Sequence, residues 1–454
     1  MFENLLGQIV SDQLIQDIKA GVLAPAMLFS GPEASGKGTA ALELGRVISC
    51  ETGLAEWNCS CAACSRHRLL IHPDLLCLGW KPFSAEIAAS AGTFQREIKN
   101  PSSRLLFVRS IRKLLARFSP VLWEDDPKAS KISPLVNSLE EDLDSLELLA
   151  SRLLDGSPEP ETQASLEKLT DEIKKSAFKL ESEGMGSNIP IAQIRRAAWW
   201  SRLSPTGKEK LLILENADRM QEDARNSLLK LLEEPPGRSR YVLCTSRQGS
   251  FSSTILSRLR PYRFSPRDAA VESEIIRRVF RDETAAQSAM ALSATECGIN
   301  AYLDSFLPVS SGMLEALAAF FAASVAYKAA LLSKSRGDSL PDEVVSLGKY
   351  CAPKAEAAGL GRPNGDSVAV IALVLEKADK FEARSLFHGF LFSLLEQVSM
   401  CQRSAAADPF KPAYYKLWKK CSLWAETAVG LYKLRPAQTL EKLFTDLSLG
   451  MSKL

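Results

Sequence analysis

Hydrophobic residues in the first 265 positions alternate between short, mostly apolar runs and longer stretches in which they recur at helical spacing. Short runs bounded by turn residues are typical of strands buried on both faces, and the longer stretches are typical of amphipathic helices. The segments that predict strands are 27–30, 75–78, 210–214, 241–245 and 262–264. The stretches that predict helices include 39–47, 189–203 and 221–234. This alternation predicts an α/β fold with a mainly parallel, doubly wound sheet.

A long segment at about 81–187 interrupts this alternation. Helices are predicted at 102–118, 140–154 and 165–180, and we expect the last two to form an inserted helical hairpin that is mobile relative to the rest. The helix at 102–118 has a basic face that suits nucleic acid or an acidic protein, although a solvated helix face is the commoner explanation.

The pattern after residue 265 is helical almost throughout, so the predicted domains are 1–265, a small helical lid at 266–305 and an all-α domain at 306–454. Two uncharged runs in the last domain, 316–327 and 386–395, are shorter than the roughly 20 residues that span a bilayer. We therefore predict buried helices and no membrane contact.

Composition and charge narrow the choice of partners. The 454 residues are 46% hydrophobic and carry a formal net charge of +2, which suits a globular chain whose DNA contacts are local. The N-terminus, Met-Phe-Glu-Asn, has no basic segment, so no signal peptide is expected. Ten cysteines without a secretory signal indicate thiols or metal ligands in a reducing, cytoplasmic compartment.

A candidate phosphate-binding loop lies between the first predicted strand and the helix that follows it. It matches seven of the eight positions of Gly-x-x-x-x-Gly-Lys-[Ser/Thr], with Gly31, Gly36 and Lys37 in place and Gly38 where a hydroxyl should hold magnesium. Phosphates would then be contacted by three groups: the backbone N–H groups of the loop, the N-terminus of the helix that begins near Thr39, and the lysine. The alternative is an ordinary strand–turn–helix with a solvated lysine.

The second half of a nucleotide site follows the strand at 210–214. Glu215 takes the place of a magnesium-side carboxylate, but Asn216 stands where a hydrolytic base belongs, and an amide accepts no proton at neutral pH. Thr245 ends the next buried strand, and nucleotides bind at the carboxyl ends of such strands. These residues complete the candidate site, in which ATP and magnesium are possible ligands of a degenerate pocket.

Four cysteines follow the helix after the loop: Cys50, Cys59, Cys61 and Cys64, spaced C-x8-C-x-C-x2-C. Four thiolates suit tetrahedral zinc, and a segment pinned in this way needs little core of its own. We predict a structural zinc site with His67 as the spare ligand; the alternative is a set of free thiols.

Several motifs together resemble the bacterial replicative clamp loader, an AAA+ family, over about 1–80 and 189–265 but not over the insertion at 81–187. The motifs are Phe2-x-x-Leu-x-Gly-Gln8, Phe29-Ser-Gly-Pro-x-x-x-Gly-Lys37, the cysteine module, His72-Pro-Asp74, Ile213-Leu-Glu-Asn-Ala-Asp-Arg-Met220, Asn226-Ser-Leu-Leu-Lys-x-Leu-Glu-Glu-Pro-Pro236 and Ile255-Leu-Ser-Arg258. The resemblance implies that 1–265 is an AAA+ nucleotide-binding-type domain and that 306–454 is an oligomerisation collar.

The family's ATPase motors, of gamma/tau type, keep the loop hydroxyl and an Asp-Glu pair where this chain has Gly38 and Glu215-Asn216. The resemblance is therefore to the delta-prime type, which lends an arginine to a neighbouring ATPase instead of hydrolysing ATP. The family's Ser-Arg-Cys is Ser257-Arg258-Leu259 here, so Arg258 is the implied finger, acting in trans. The family's cysteine spacing, C-x8-C-x2-C-x2-C, is one residue longer than here.

The resemblance also implies partners and alternatives. The partners would be gamma/tau and delta-type subunits in a hetero-oligomeric ring of the DNA polymerase III holoenzyme, the sliding clamp, and primer–template DNA reached through the complex. The alternatives are an active motor subunit, a free-standing repair or recombination ATPase, and a zinc-pinned scaffold that binds no nucleotide. Gly38 and Asn216 argue against the first two of these.

Overall fold

The computed structural model describes residues 1–124, 126–155, 160–186, 188–290, 298–381, 384–404, 412–430 and 432–453. The chain divides into two compact units, Met1–Phe306 and Leu307–Leu454. The sequence predicts a linker at 155–160, between the two hairpin helices, and a loop at 405–412, and both lie mostly outside the described residues. The finer division into an α/β domain, a lid and a collar stays a prediction.

The first unit is built on a five-stranded sheet in which every pairing is parallel, with the order β2-β3-β4-β1-β5. The strands are β1 Ala26–Ser30, β2 Leu75–Gly79, β3 Lys210–Glu215, β4 Ser239–Thr245 and β5 Arg260–Arg263. The predicted α/β class and parallel sheet are confirmed. The carboxyl ends of β1, β3 and β4 lie side by side, so the loop after β1 and the acid after β3 meet at one edge.

Helices cover both faces of this sheet. They are α1 Val10–Lys19, α2 Lys37–Ser49, α3 Ala62–Arg68, α4 Ser84–Arg96, α5 Pro101–Leu115, α6 Pro120–Trp123, α7 Ala129–Asp155, α8 Pro160–Gly184, α9 Ile191–Arg202, α10 Glu222–Glu233, α11 Ser253–Leu256, α12 Ala269–Ile275, α13 Glu283–Met290 and α14 Gly298–Asp304. Alternate strand residues enter opposite cores, Leu28 on one face and Met27 and Phe29 on the other. This is the period-two geometry of a strand buried on both faces.

The α7–α8 hairpin packs into the core of the first unit. Leu143 of α7 and Ile173 of α8 are fully buried in the same cluster as Phe94 of α4. At the start of α4, the two carboxylate oxygens of Glu181 accept hydrogen bonds from Phe83 N at 3.0 Å and Ser84 Oγ at 2.6 Å. This packing differs from the expected mobile insertion, because the apolar faces of both helices are covered by the domain itself.

In the part of the second unit that the structure describes, all regular secondary structure is helical. Its helices are α15 Ser311–Arg336, α16 Asp342–Ala357, α17 Ser367–Lys377, α18 Arg384–Ser404, α19 Pro412–Gly430 and α20 Pro436–Met451. The apolar run predicted at 316–327 lies inside the longer α15, which is long and apolar enough to cross a membrane by those two criteria alone. Since 72% of the most apolar 18-residue stretch of α15 is buried, α15 resembles the core helix of a globular unit.

Candidate nucleotide site and metal centre

The candidate loop joins β1 to α2, as predicted, although α2 begins at Lys37 and Thr39 is an exposed residue of its first turn. Gly36 is the N-cap of α2 with φ +94°, a left-handed conformation that favours glycine. A Cβ on Gly31 would collide with the carbonyl oxygen of Phe264. The two glycines are therefore needed for the turn and for the close approach to the segment after β5.

The lysine of the loop folds over the loop's own backbone. Lys37 Nζ donates to the carbonyl of Gly31 at 2.7 Å and to that of Pro32, and lies 3.4 Å from Ser35 Oγ. Burial lowers the pKa of Lys37, an effect that the nearby acidic groups only partly offset. The arrangement places a poorly solvated cation at the start of a 13-residue helix, where an anion is favoured.

An arginine from beyond the sheet also holds this loop. Arg267 donates through Nε to Leu6 O at 3.2 Å and through Nη1 to Ala34 O, and its Nη2 lies 2.6 Å from the place that a Cβ on Gly36 would take. No local motif marks Arg267, which lies 233 residues after Ala34 of the loop. It fixes the loop against both the N-terminal segment and the chain entering α12.

Glu215 ends β3 at the predicted place, but its carboxylate is already paired. Arg117, only 7% exposed, forms an ion pair with Glu215 Oε2, and the guanidinium carbon lies 5.6 Å from the Phe83 ring centroid. Burial would raise the pKa of Glu215, but the positive charges of Arg117, Lys81 and Lys113 outweigh it and hold that pKa below its usual value. Glu215 is therefore an ionised carboxylate that has its own protein cation.

Magnesium does not fit the residues at this place. Gly38 offers no hydroxyl, and a Cβ added to it would collide with Oε1 of Glu215. A serine or threonine at position 38 therefore cannot coexist with this Glu215 conformation. The missing hydroxyl and the Arg117–Glu215 pair are thus two parts of one arrangement.

The two other polar residues of the candidate site have structural partners. Asn216 adopts a left-handed conformation with φ +48°, which asparagine tolerates better than most residues, and its Nδ2 donates to Trp80 O at 2.8 Å. Thr245 Oγ1 donates to Asp218 Oδ1 at 2.7 Å and accepts from Arg247 N at 2.9 Å. The residue in the hydrolytic-base position thus has its amide directed to a backbone carbonyl.

Arg258, the predicted finger, follows the short helix α11. Its Nη2 lies 2.8 Å from Glu233 Oε1, its Nη1 donates to Thr254 O at 2.7 Å, and its side chain is 31% exposed. None of the contacts described for Arg258 reaches the loop at 31–38 of the same chain. The guanidinium of Arg258 is thus partly exposed and paired with an exposed glutamate of the same chain.

The four predicted cysteines lie together, with all four sulfur atoms within 4.8 Å of one another. The sulfurs of Cys50 and Cys59 are 3.9 Å apart, close to the roughly 3.8 Å that tetrahedral Zn–S bonds of about 2.3 Å require. Burial opposes ionisation of Cys50, but hydrogen bonds from Thr52 and the backbone of Ala55 outweigh it and lower its pKa to about 6. The donor set can hold a structural metal ion.

His67, the predicted spare ligand, lies outside this group of four sulfurs. Its ring stacks on that of His72 with centroids 4.2 Å apart, and both ring nitrogens are buried without a hydrogen-bond partner among the described residues. Burial lowers the pKa of His67 to about 3. The ring is therefore neutral and packed against Gly45 of α2, where a Cβ would lie 3.1 Å from a ring carbon.

We expect one zinc ion per chain on the cysteine cluster. The reason is that a Cys₄ set at this sulfur spacing matches tetrahedral zinc, which stabilises a loop with little core. Elemental analysis of protein prepared without chelators measures it, with Cys64→Ser expected to lower the zinc content and the distant Cys421→Ser to leave it unchanged. Zinc near zero in the unsubstituted protein contradicts the prediction.

The comparison with protein families shows which family the first unit matches. The model of the family described as DNA polymerase III, delta subunit, matches residues 7–121 and 140–268, more than half of the chain. The chain belongs to this family. The match confirms the clamp-loader AAA+ resemblance. The expectation that 81–187 lies outside the resemblance was wrong, since the match omits only 122–139 of that segment.

Individual relatives are similar over shorter stretches. The DNA polymerase III subunit delta′ of Bacillus subtilis is 40% identical over 95 residues, which are 20% of this chain and 28% of that protein. Replication factor C small subunit 1 of Pyrobaculum arsenaticum is 30% identical over 104 residues, 22% of this chain and 31% of that protein. The chain thus spans less than a third of the length of these curated relatives.

One solved structure is similar at low identity. The crystal structure of a DNA polymerase III, gamma subunit-related protein from Thermotoga maritima is 18% identical, with a TM-score of 0.21, over 63% of this chain and 90% of that chain. A likeness of this strength carries no functional argument.

Proposed function

We propose that this chain is a delta-prime-type subunit of a bacterial replicative clamp loader, which assists a neighbouring ATPase without hydrolysing ATP itself. The observation that carries the proposal is that Glu215, the acid after β3, and its neighbours are engaged in contacts within the chain. Glu215 is held by Arg117, Gly38 supplies no hydroxyl, and the amide of Asn216 is directed to Trp80. The acid and the residue in the hydrolytic-base position thus have structural partners, and the hydroxyl that would hold magnesium is missing.

The proposed contribution to the neighbour is Arg258. Its guanidinium is partly exposed and held by Glu233, so it can exchange that partner for the γ-phosphate in an adjacent subunit's site. Arginine suits this role because its fork of N–H donors binds phosphate oxygens in a fixed geometry and is always charged. This chain would act on ATP only through another subunit.

The proposed partners are gamma/tau and delta-type subunits of the DNA polymerase III holoenzyme in the cytoplasm, the sliding clamp, and primer–template DNA reached through the ring. The names of the B. subtilis and P. arsenaticum relatives support a place in DNA replication. The second unit is a helical bundle that exposes several large apolar side chains, Leu423 and Val368 most clearly, which supports a role as the collar that joins subunits. Recovery of the chain from its own cells without clamp-loader subunits would contradict this assembly.

The net charge of +2 provides no global attraction to DNA, so a DNA contact needs a local basic surface. The first unit has such a surface on α9. The exposed side of α9 carries Arg195, Trp199 and Arg202, and no acidic residue occurs between 187 and 208. Arginines neutralise phosphates and an exposed indole stacks on bases. Measuring how far DNA stimulates the ATPase of the assembled complex tests this contact and the proposed function together.

The second candidate function is an active gamma/tau-type motor, which the family also contains and which the loop with Lys37 favours. We expect the isolated chain to release phosphate from ATP no faster than its Lys37→Ala variant does. The reason is that Asn216 cannot act as a base and Gly38 offers no hydroxyl to magnesium. A phosphate-release assay on the two proteins measures it. Turnover that disappears in Lys37→Ala contradicts the prediction and supports the motor.

A further inference from the structure

Glu215, the acid after β3, belongs to a partly buried cluster of charges around the end of the sheet. Three cations, Lys81, Lys113 and Arg117, surround two carboxylates, Glu86 and Glu215. Lys81 Nζ lies 2.9 Å from Glu86 Oε2, Lys113 pairs with Glu86 Oε1, and Arg117 pairs with Glu215 Oε2. The cluster therefore carries one positive charge in excess.

Arg117 is the member of this cluster in contact with Glu215. Its side chain is 7% exposed, and its Nε and Nη1 have no hydrogen-bond partner among the described residues. Leaving a buried charge short of partners is costly, so an anion nearby is favourable. The other oxygen of Glu215 faces Gly38 at the first turn of α2, which places the cluster beside the loop of Lys37.

We propose that Arg117 takes the place of the divalent cation beside Glu215, and that the loop at 31–38 therefore binds the phosphates of a nucleotide without magnesium. A divalent ion would have to displace the guanidinium and would find no hydroxyl at Gly38. Phosphates without a metal carry more negative charge, which Lys37 and the surplus charge of the cluster neutralise.

This inference deepens the proposed function, since it rests on the loop holding a nucleotide, and it is independent of Arg258 and of ring assembly. Its test uses the isolated full-length chain, whereas the function is tested in the complex. A failure of the nucleotide-binding test can therefore be told apart from a failure of the proposed function.

The experiment titrates fluorescently labelled ADP into the chain in magnesium-free buffer and in buffer with magnesium chloride. Magnesium is removed by desalting, because a chelator would also take a metal from the cysteine cluster. We expect the two dissociation constants to agree within about threefold, or the magnesium-free affinity to be the higher. Replacing Arg117 by alanine should weaken magnesium-free binding by about tenfold or more, the loss expected for a charged hydrogen-bonding group.

Controls separate this effect from loss of folding. Arg117→Ala with Glu215→Gln removes both charges of the pair and should still lose magnesium-free binding, whereas Arg117→Lys should retain most of it. Arg277→Ala removes an exposed arginine paired with Glu274 and should change nothing. The proposal is overturned if the unsubstituted chain requires magnesium, if it binds labelled ADP in neither buffer, or if the double variant binds as the unsubstituted chain does without magnesium.

Discussion

Replacing Arg258 by alanine is expected to slow ATP hydrolysis at the one loader site that faces this subunit by about 10³–10⁵-fold, the usual effect of an arginine finger supplied in trans. The loss in the whole complex will be smaller, because sites that face other subunits keep their own arginine. DNA-stimulated ATPase and clamp loading by the reconstituted complex, with and without the substitution, measure it.

Folding and ring assembly should survive this substitution. The Arg258–Glu233 pair is partly exposed, and exposed pairs contribute roughly 0–1 kcal/mol to stability. Glu233→Gln is the matched control, because it removes the same ion pair and keeps the arginine, so it should retain loading. Arg258→Lys should not rescue, because an ammonium lacks the phosphate-binding fork. Unchanged ATPase and loading in Arg258→Ala would show that Arg258 is only a surface residue.

The parts of the fold that the sequence predicts well are those specified by neighbouring residues. β1, β3 and β4 each contain a continuous apolar run, and the loop before α2 is bounded by Gly31 and Gly36, so strand, loop and helix all follow from local spacing. The cysteines lie within fifteen consecutive residues, and their proximity in space follows from the sequence in the same way.

The parts that the sequence does not predict depend on residues far apart in the chain. Arg117 belongs to the basic face at 102–118, which suggested a solvated or partner-binding surface, but it is buried against Glu215, 98 residues later. The hairpin of α7 and α8 looked like a separate insertion because its amphipathic pattern does not say which surface covers its apolar faces. Periodicity identifies an apolar face, whereas its partner is fixed only by tertiary packing.

Replacing Arg46 by alanine is expected to lower the free energy of unfolding of the first unit by about 3–5 kcal/mol, because it leaves the buried Glu43 carboxylate unpaired. Arg46 is 1% exposed and Glu43 is 5% exposed. The guanidinium also donates to Ala55 O at 2.7 Å and to Glu56 O at 2.6 Å, and lies 3.5 Å from Cys64 Sγ. Denaturant unfolding of the full chain, followed through a probe in the first unit, measures the change.

Two variants identify the origin of this loss. Arg66→Ala removes an exposed arginine from the same cysteine segment and should change stability by no more than about 0.5 kcal/mol. Arg46→Gln with Glu43→Gln removes both charges, so it should recover the share caused by the unpaired carboxylate, while the carbonyls of Ala55 and Glu56 keep a poorer partner. If Arg46→Ala unfolds at the same denaturant concentration as the unsubstituted chain, Arg46 does not anchor the cysteine segment to α2.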